Sequence, residues 1–404
     1  MESHDRGIRN RDEQYHINHT DEIMGTQRLT WCDAVRLLAF ILLFGCHAAD
    51  PFNAAVTYGA SLGEAIDPQL TTWGARWGAF VRPCVPLFVM LTGALLLPIK
   101  DSMSHFYKKR IPRILFPFII WSVIYYITPW FTGVLGFEKS AVHALFCWAD
   151  DSQELSDALV YIAKIPYTFN FIACHMWYIY MLIGLYLFMP IFSAWVEKAT
   201  KRQKEFVLGI WMVSTMLPYF NEFVSRYAFG TCEWNGFGLF YYFAGFNGYL
   251  LLGHYIKEYV HWSITKSLLV ATPLLLCGFL ITLFGFNYIM ALPNPTPEQI
   301  ELFWTYNTPN VAMMSVALLL LGKCIRISSN STMIPILANL TSCGFGMYMI
   351  HYYFVRLGYD MGIWFCIPAP LRIPFSALVI LVCSWGIVAL LKKLLGKSSK
   401  YLLG

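Results

Sequence analysis

Apolar stretches long enough to cross a bilayer recur along this chain, and the short segments between them hold nearly all of its Lys and Arg. A helix needs about 20 apolar residues to span the hydrocarbon core, and backbone groups in lipid must be satisfied within the segment. That pattern predicts an all-α polytopic membrane protein. Ten helices are expected, at 34–49, 77–98, 113–133, 176–195, 206–220, 236–256, 267–290, 309–325, 334–355 and 373–392. Composition agrees: 57% of the 404 residues are hydrophobic and 13% are charged, about half the charged share of a soluble domain. The 14 Trp and 24 Tyr suit anchors at both interfaces.

The net charge of +5 does not point to nucleic acid, because the basic residues serve as orientation signals. Alternate inter-helix segments, with the two ends, hold 21 of the 29 Lys and Arg, and the other set holds seven. That bias predicts both ends on the cytoplasmic side, with residues 1–27 and 397–404 as polar cytoplasmic tails around a membrane unit of 28–396. No apolar signal-peptide core is present in 1–27, and His4, His16 and His19 there read as solvated. The segment 134–175 carries Glu138, Asp150, Asp151, Glu154 and Asp157 and is expected on the outer side with a short surface helix. The 11 Cys form no CxxC pair, so neither a metal site nor a disulfide framework is expected.

Ionisable residues at membrane depth are functional candidates, because each costs a few kcal/mol or more there. The first helix holds Asp33, Arg36 and His47. Eleven residues at about 100° each return His47 to within about 20° of the Arg36 face, about 16 Å further along. Asp33 is placed to pair with Arg36, either for function or as an ion pair within the bundle. Arg82 lies near the depth of His47 on the second helix and is expected to need an anionic partner. Thr92-Gly93 reads as a small-residue packing surface. Arg110-Ile111-Pro112-Arg113 is read at the start of the third helix, where two guanidiniums and free backbone N–H groups suit phosphate. His175, two residues before Trp177, and His351 reach the same outer half. Together with His47 and Arg82 they predict a polar cavity. A transporter or channel could use such a path as well.

Five motifs carry a resemblance. They are Asp33-x-x-Arg36 running to His47, Val85-Pro86-Leu87-Phe88 with Thr92-Gly93, Arg110-x-x-Arg113, His175-x-Trp177-Tyr178 with Tyr186 and Pro190, and Tyr348-x-x-His351. In this order they resemble the bacterial acyltransferase-3 family of integral membrane O-acyltransferases, especially the enterobacterial common antigen type. Thr92 stands where that family usually has Ser. The resemblance implies transfer of an acyl group, most often acetyl from acetyl-CoA, to a hydroxyl of an envelope glycan or its lipid-linked precursor at the bacterial inner membrane. It implies His47 as the catalytic group with Arg36 and Asp33 beside it, and Arg110, Arg113 and Arg36 on the donor's phosphates. Arg82, His175, Trp177 and His351 would contact the acceptor or the transition state. The partners it implies are acyl-CoA, the glycan and membrane lipids, with no metal.

Overall fold

The structure is a computed structural model and describes residues 30–52, 68–136, 154–169, 171–328 and 331–404. The tail 1–27 and Glu138, Asp150 and Asp151 lie outside the described residues. Among the described residues the regular elements are all helical, and seven helical stretches are long and apolar enough to cross a membrane. The chain is a multi-pass membrane protein.

The helices are α1 (Thr30–Phe52), α2 (Pro68–Val81), α3 (Cys84–Leu96), α4 (Met103–Val134), α5 (Leu155–Lys164), α6 (Trp177–Lys198), α7 (Lys201–Ser214) and α8 (Leu217–Phe223). They continue with α9 (Asn247–Tyr259), α10 (Ile264–Met290), α11 (Pro297–Glu301), α12 (Pro309–Lys323), α13 (Met333–Ile350), α14 (Val355–Trp364), α15 (Ala369–Leu395) and α16 (Ser399–Leu403). α2 and α3 form one span broken at Arg82-Pro83, and α5 is the short helix expected in the acidic segment.

Three of the ten expected spans are shorter than a full crossing. The 236–256 segment is the clearest departure, since its helix begins only at Asn247. Gly238 and Gly245 take positive φ before it, a backbone state that ends helical continuity and that glycine alone adopts freely. α7 has 14 residues and α12 has 15, so each rises only about 21–23 Å. In the second span the break falls at Arg82-Pro83, and Pro86 is accommodated in the first turn of α3, where its missing N–H has little cost.

Polar side chains join the helices inside the bundle. Asn310 on α12 is fully buried and fully used: its Nδ2 donates to Thr282 Oγ1 at 2.7 Å and to Phe303 O at 2.8 Å, and its Oδ1 accepts from Tyr219 at 2.6 Å. The short α12 is thereby tied to α10 and α8. At the outer surface of α10, by contrast, only 17% of the most apolar window is buried, as suits a helix facing lipid. The final segment folds back on α4, where Trp121 donates to Leu402 O at 2.9 Å and Leu403 is buried.

α3 and α9 approach backbone to backbone. A Cβ on Gly93 would collide with the Leu250 backbone, and one on Gly253 would collide with the Met90 backbone. Thr92-Gly93 is thus a packing surface, as the sequence implied, with its partner small residue on α9. Gly93→Val and Gly253→Val are each expected to lower the thermal midpoint in detergent and the monodisperse yield, at a cost of about 1–3 kcal/mol or more. Wild-type midpoints in both variants would contradict this packing.

Candidate active site

α1 carries a helical dyad. His47 Nδ1 lies 2.8 Å from Asp50 Oδ2, one turn further along the helix. An ionised carboxylate only accepts, so Nδ1 carries the proton and Nε2 presents its lone pair. The Asp50 contact is the polar bond the His47 ring makes among the described residues, and the His47 side chain is 13% exposed. It is an oriented base with an open face.

Two further imidazoles surround it. The His351 ring lies 5.0 Å from that of His47 and the His175 ring 6.5 Å, while His175 and His351 are 5.1 Å apart. His351 donates from Nδ1 to Tyr348 O at 2.6 Å, since a carbonyl can only accept. Its buried Nε2, and both nitrogens of buried His175, have no protein partner among the described residues. Native interiors rarely leave such atoms unpaired, so these three unpaired nitrogens beside His47 mark a place suited to a polar guest. Aromatic rings hold the histidines in place: Tyr352 stacks on His175 at 5.1 Å, Tyr125 meets it edge-on, and the Tyr348 hydroxyl donates to the His175 carbonyl.

Arg82 is buried at the break between α2 and α3 and departs from expectation. Its partner is not an anion. Its Nε donates to Gly78 O at 3.0 Å and its guanidinium lies 4.1 Å from the Trp304 ring centre. Among the described residues it forms no ion pair, and its Nη groups stay available. The first bond mends the helix: the loop of chain at Arg82-Pro83 frees carbonyls of the preceding turn, and the arginine occupies one of them. The ring face supplies the attraction that a carboxylate would otherwise provide.

Trp177 does not join the histidines. It starts α6 and stacks on Tyr306 at 5.6 Å, with Phe246 behind it. Tyr306 lies between α11 and α12, and burial pushes its phenol well above the usual range, so it stays neutral. The α11–α12 segment thus supplies both Trp304 and Tyr306, beside Arg82 and Trp177.

At the other end of α1, Arg36 donates to Asp33 at 2.9 Å, as the spacing predicted. One turn before Arg110 on α4, Phe106 meets the Tyr186 ring of α6 edge-on at 5.9 Å. The backbone part of the phosphate argument fails here. α4 begins at Met103 with Ser102 as its cap, so Arg110 and Arg113 sit two turns or more inside the helix, away from free N–H groups. Arg110 is half-buried and Arg113 exposed, so side chains alone are offered.

Asp50 escaped the sequence reading, although His47-x-x-Asp50 within a helix is a local signal. Trp304 and Tyr306 escaped it too, and no local pattern points to them. Among the described residues no group of three or more His, Cys, Asp or Glu side chains is arranged to hold a metal ion.

Trp304→Leu is expected to lower the thermal midpoint by removing the face against Arg82, at a cost of about 2 kcal/mol, with Trp304→Phe intermediate. Equal midpoints for all three proteins would mean the ring does not hold the guanidinium.

Compared with known families, residues 29–389 match the model described as an acyltransferase domain, of the acyltransferase-3 type. No curated protein and no solved structure shows significant similarity to the chain.

Proposed function

Because the chain belongs to the acyltransferase-3 family and is therefore a membrane acyltransferase, we propose that it is an O-acyltransferase moving an acyl group, acetyl by preference, from acyl-CoA to a hydroxyl of an envelope glycan or its lipid-linked precursor. The observation that carries this reading is the Asp50–His47 dyad with an open Nε2. A carboxylate that fixes the tautomer of an imidazole and steadies its charged form is the arrangement general-base acyl transfer needs.

In this reading His47 Nε2 takes the proton of the acceptor hydroxyl as that oxygen attacks the thioester carbonyl carbon. Asp50 steadies the imidazolium. As the carbon–sulfur bond breaks, His47 returns the proton to the departing sulfur. In the other form of this reading the same nitrogen carries the acyl group briefly and releases it to the acceptor in a second step. Arg82, with its Nη groups open, and an N–H of His175 are the available donors for the developing oxyanion. His351 is not such a donor: with its proton on Nδ1, its Nε2 accepts, and it orients the acceptor hydroxyl. Trp177 and Tyr306 offer a flat apolar face of the kind that sugar rings lie against.

Arg36, Arg110 and Arg113 would hold the phosphates of the donor, supported by the forked, charge-assisted bonds that guanidiniums offer to phosphate. The alternating basic segments support placing that end in the cytoplasm of a bacterial inner membrane, where acyl-CoA is made. About 16 Å of α1 separates Arg36 from His47, a span for the donor's extended pantetheine arm.

The test is consumption of radiolabelled acetyl-CoA by the purified protein with a glycan acceptor. Asp50→Asn is expected to reduce kcat by about 10²–10⁴-fold and His47→Ala to abolish transfer, both with normal elution. Turnover near wild type in both variants would remove the dyad from the chemistry. Arg110→Gln and Arg113→Gln are expected to raise the KM for acyl-CoA by about tenfold, more than they lower kcat, one charge-assisted bond each. An unchanged KM in both would move the donor's phosphates elsewhere.

A further inference from the structure

The chain between α7 and α9 does not complete a helical crossing, and its exposed side chains are not those of a loop in water. We propose that residues 223–242 form an interfacial anchor, seated among phospholipids at the membrane face opposite the basic end, where headgroups meet acyl chains.

Helix length sets the depth. α7 starts at Lys201 and α9 ends two residues after Lys257, both at the basic end, and they hold 14 and 13 residues. Each therefore rises about 20 Å, against a hydrocarbon core about 30 Å thick. The chain joining their far ends lies level with the remaining third of that core and the headgroups beyond it.

Irregular backbone at such depth is tolerated only where the protein itself matches its polar groups. Here the chain bonds to itself at short intervals. Val224 and Ser225 donate to Phe220 O, Thr231 donates to Ala228 O, and Phe243 and Ala244 donate to Phe240 O. Cys232 and Asn235 exchange a pair of backbone bonds at 3.1 and 3.0 Å. Asn235 Nδ2 then donates to Gly238 O at 3.1 Å, and the Thr231 hydroxyl lies 2.8 Å from Arg226 O. A loop in water has no need of this closure, because water supplies the partners.

The side chains point to the same surroundings. Trp234 is 91% exposed, Tyr242 85%, Leu239 72% and Val224 71%, and Phe223, Tyr227 and Tyr241 are exposed as well. The charged residues of the segment are Arg226 and Glu233, which lie 4.0 Å from each other. An apolar surface of this extent marks an interaction site, and Trp and Tyr favour the boundary between headgroups and chains. A glycan would call for polar groups beside the rings, whereas Leu239 and Val224 offer only hydrocarbon.

The anchor continues into a wall already described. Trp211 donates to Gly245 O at 2.9 Å, and the Phe246 ring lies 6.2 Å from Trp177 and 6.5 Å from Tyr306. Lipid contact at 223–242 thus fixes the height of the Trp177–Tyr306 face in the membrane. The proposal stands without the proposed reaction.

The experiment uses the purified full chain in vesicles of phosphatidylethanolamine and phosphatidylglycerol. The photoreactive residue p-benzoylphenylalanine replaces Trp234, Tyr242 or, as a lipid-facing reference, Leu269 of α10, which is 71% exposed. Each protein is checked for monodisperse elution, and mass spectrometry reads what is captured on illumination. Phospholipid adducts at 234 and 242 are expected within about threefold of the yield at 269. Yields below about a tenth of that reference, or capture mainly of a glycan or a second copy of the chain, overturn the proposal. Trp234→Phe supplies a second measurement that keeps a ring in place. Brominated phosphatidylcholine is expected to quench less of the total tryptophan emission in this variant than in wild type. Loss instead of only the emission that aqueous iodide quenches would put Trp234 in water and refute the anchor.

Discussion

Hydrocarbon offers no partner to a polar group, and the arrangement of this bundle follows from that constraint. Every ionisable side chain at depth must be turned inward and matched with something the protein itself supplies. The matches differ in kind. Asn310 finds three protein partners and becomes a structural joint. Arg82 finds a carbonyl and an indole face. His47 finds Asp50 for one nitrogen and nothing for the other. His175 and His351 keep nitrogens without any protein partner among the described residues. The first group is closed chemistry. The last is open, and the open atoms cluster.

α1 links the two ends of the molecule. Its Asp33–Arg36 pair lies towards one end, and its His47–Asp50 pair lies among the other imidazoles. A single rigid helix therefore fixes the distance between a cationic end suited to phosphates and a basic nitrogen suited to proton transfer. In the proposed reaction, two reactants that differ in charge and solubility would be met at opposite ends of one ruler, and the transferred group would have only to reach from one to the other. This explains why so few ionisable residues are needed: the helix supplies the spacing.

Much of this was legible in the sequence, because helical periodicity and hydropathy are local properties. The Asp33–Arg36 pair and the convergence of His47, His175 and His351 follow from spacing and depth alone. What escaped notice has identifiable reasons. Asp50 lies at the end of an apolar run and resembles an interfacial residue until its partner one turn earlier is considered. The anion expected for Arg82 was replaced by Trp304, far along the chain, and the identity of a packing partner is set by tertiary structure. The start of α4 was placed too late because the basic run looked like a flank, whereas Ser102 caps the helix and Pro112 is tolerated within it. The expected 236–256 span failed because positive φ at Gly238 and Gly245 keeps that backbone out of the helix until Asn247.

The reciprocal glycine contacts between α3 and α9 have a mechanical consequence. Where two helices meet backbone to backbone, no side chain remains between them to change rotamer, so the seam cannot part by small local adjustments. These two helices move as one beam. In the proposed reaction, a long flexible donor would not pass through that seam. Any breathing that admits it belongs to faces filled by side chains, such as those where Tyr178, Tyr348 and Phe88 meet. The stiffness of one helix pair thereby selects which walls of the bundle serve as its doors.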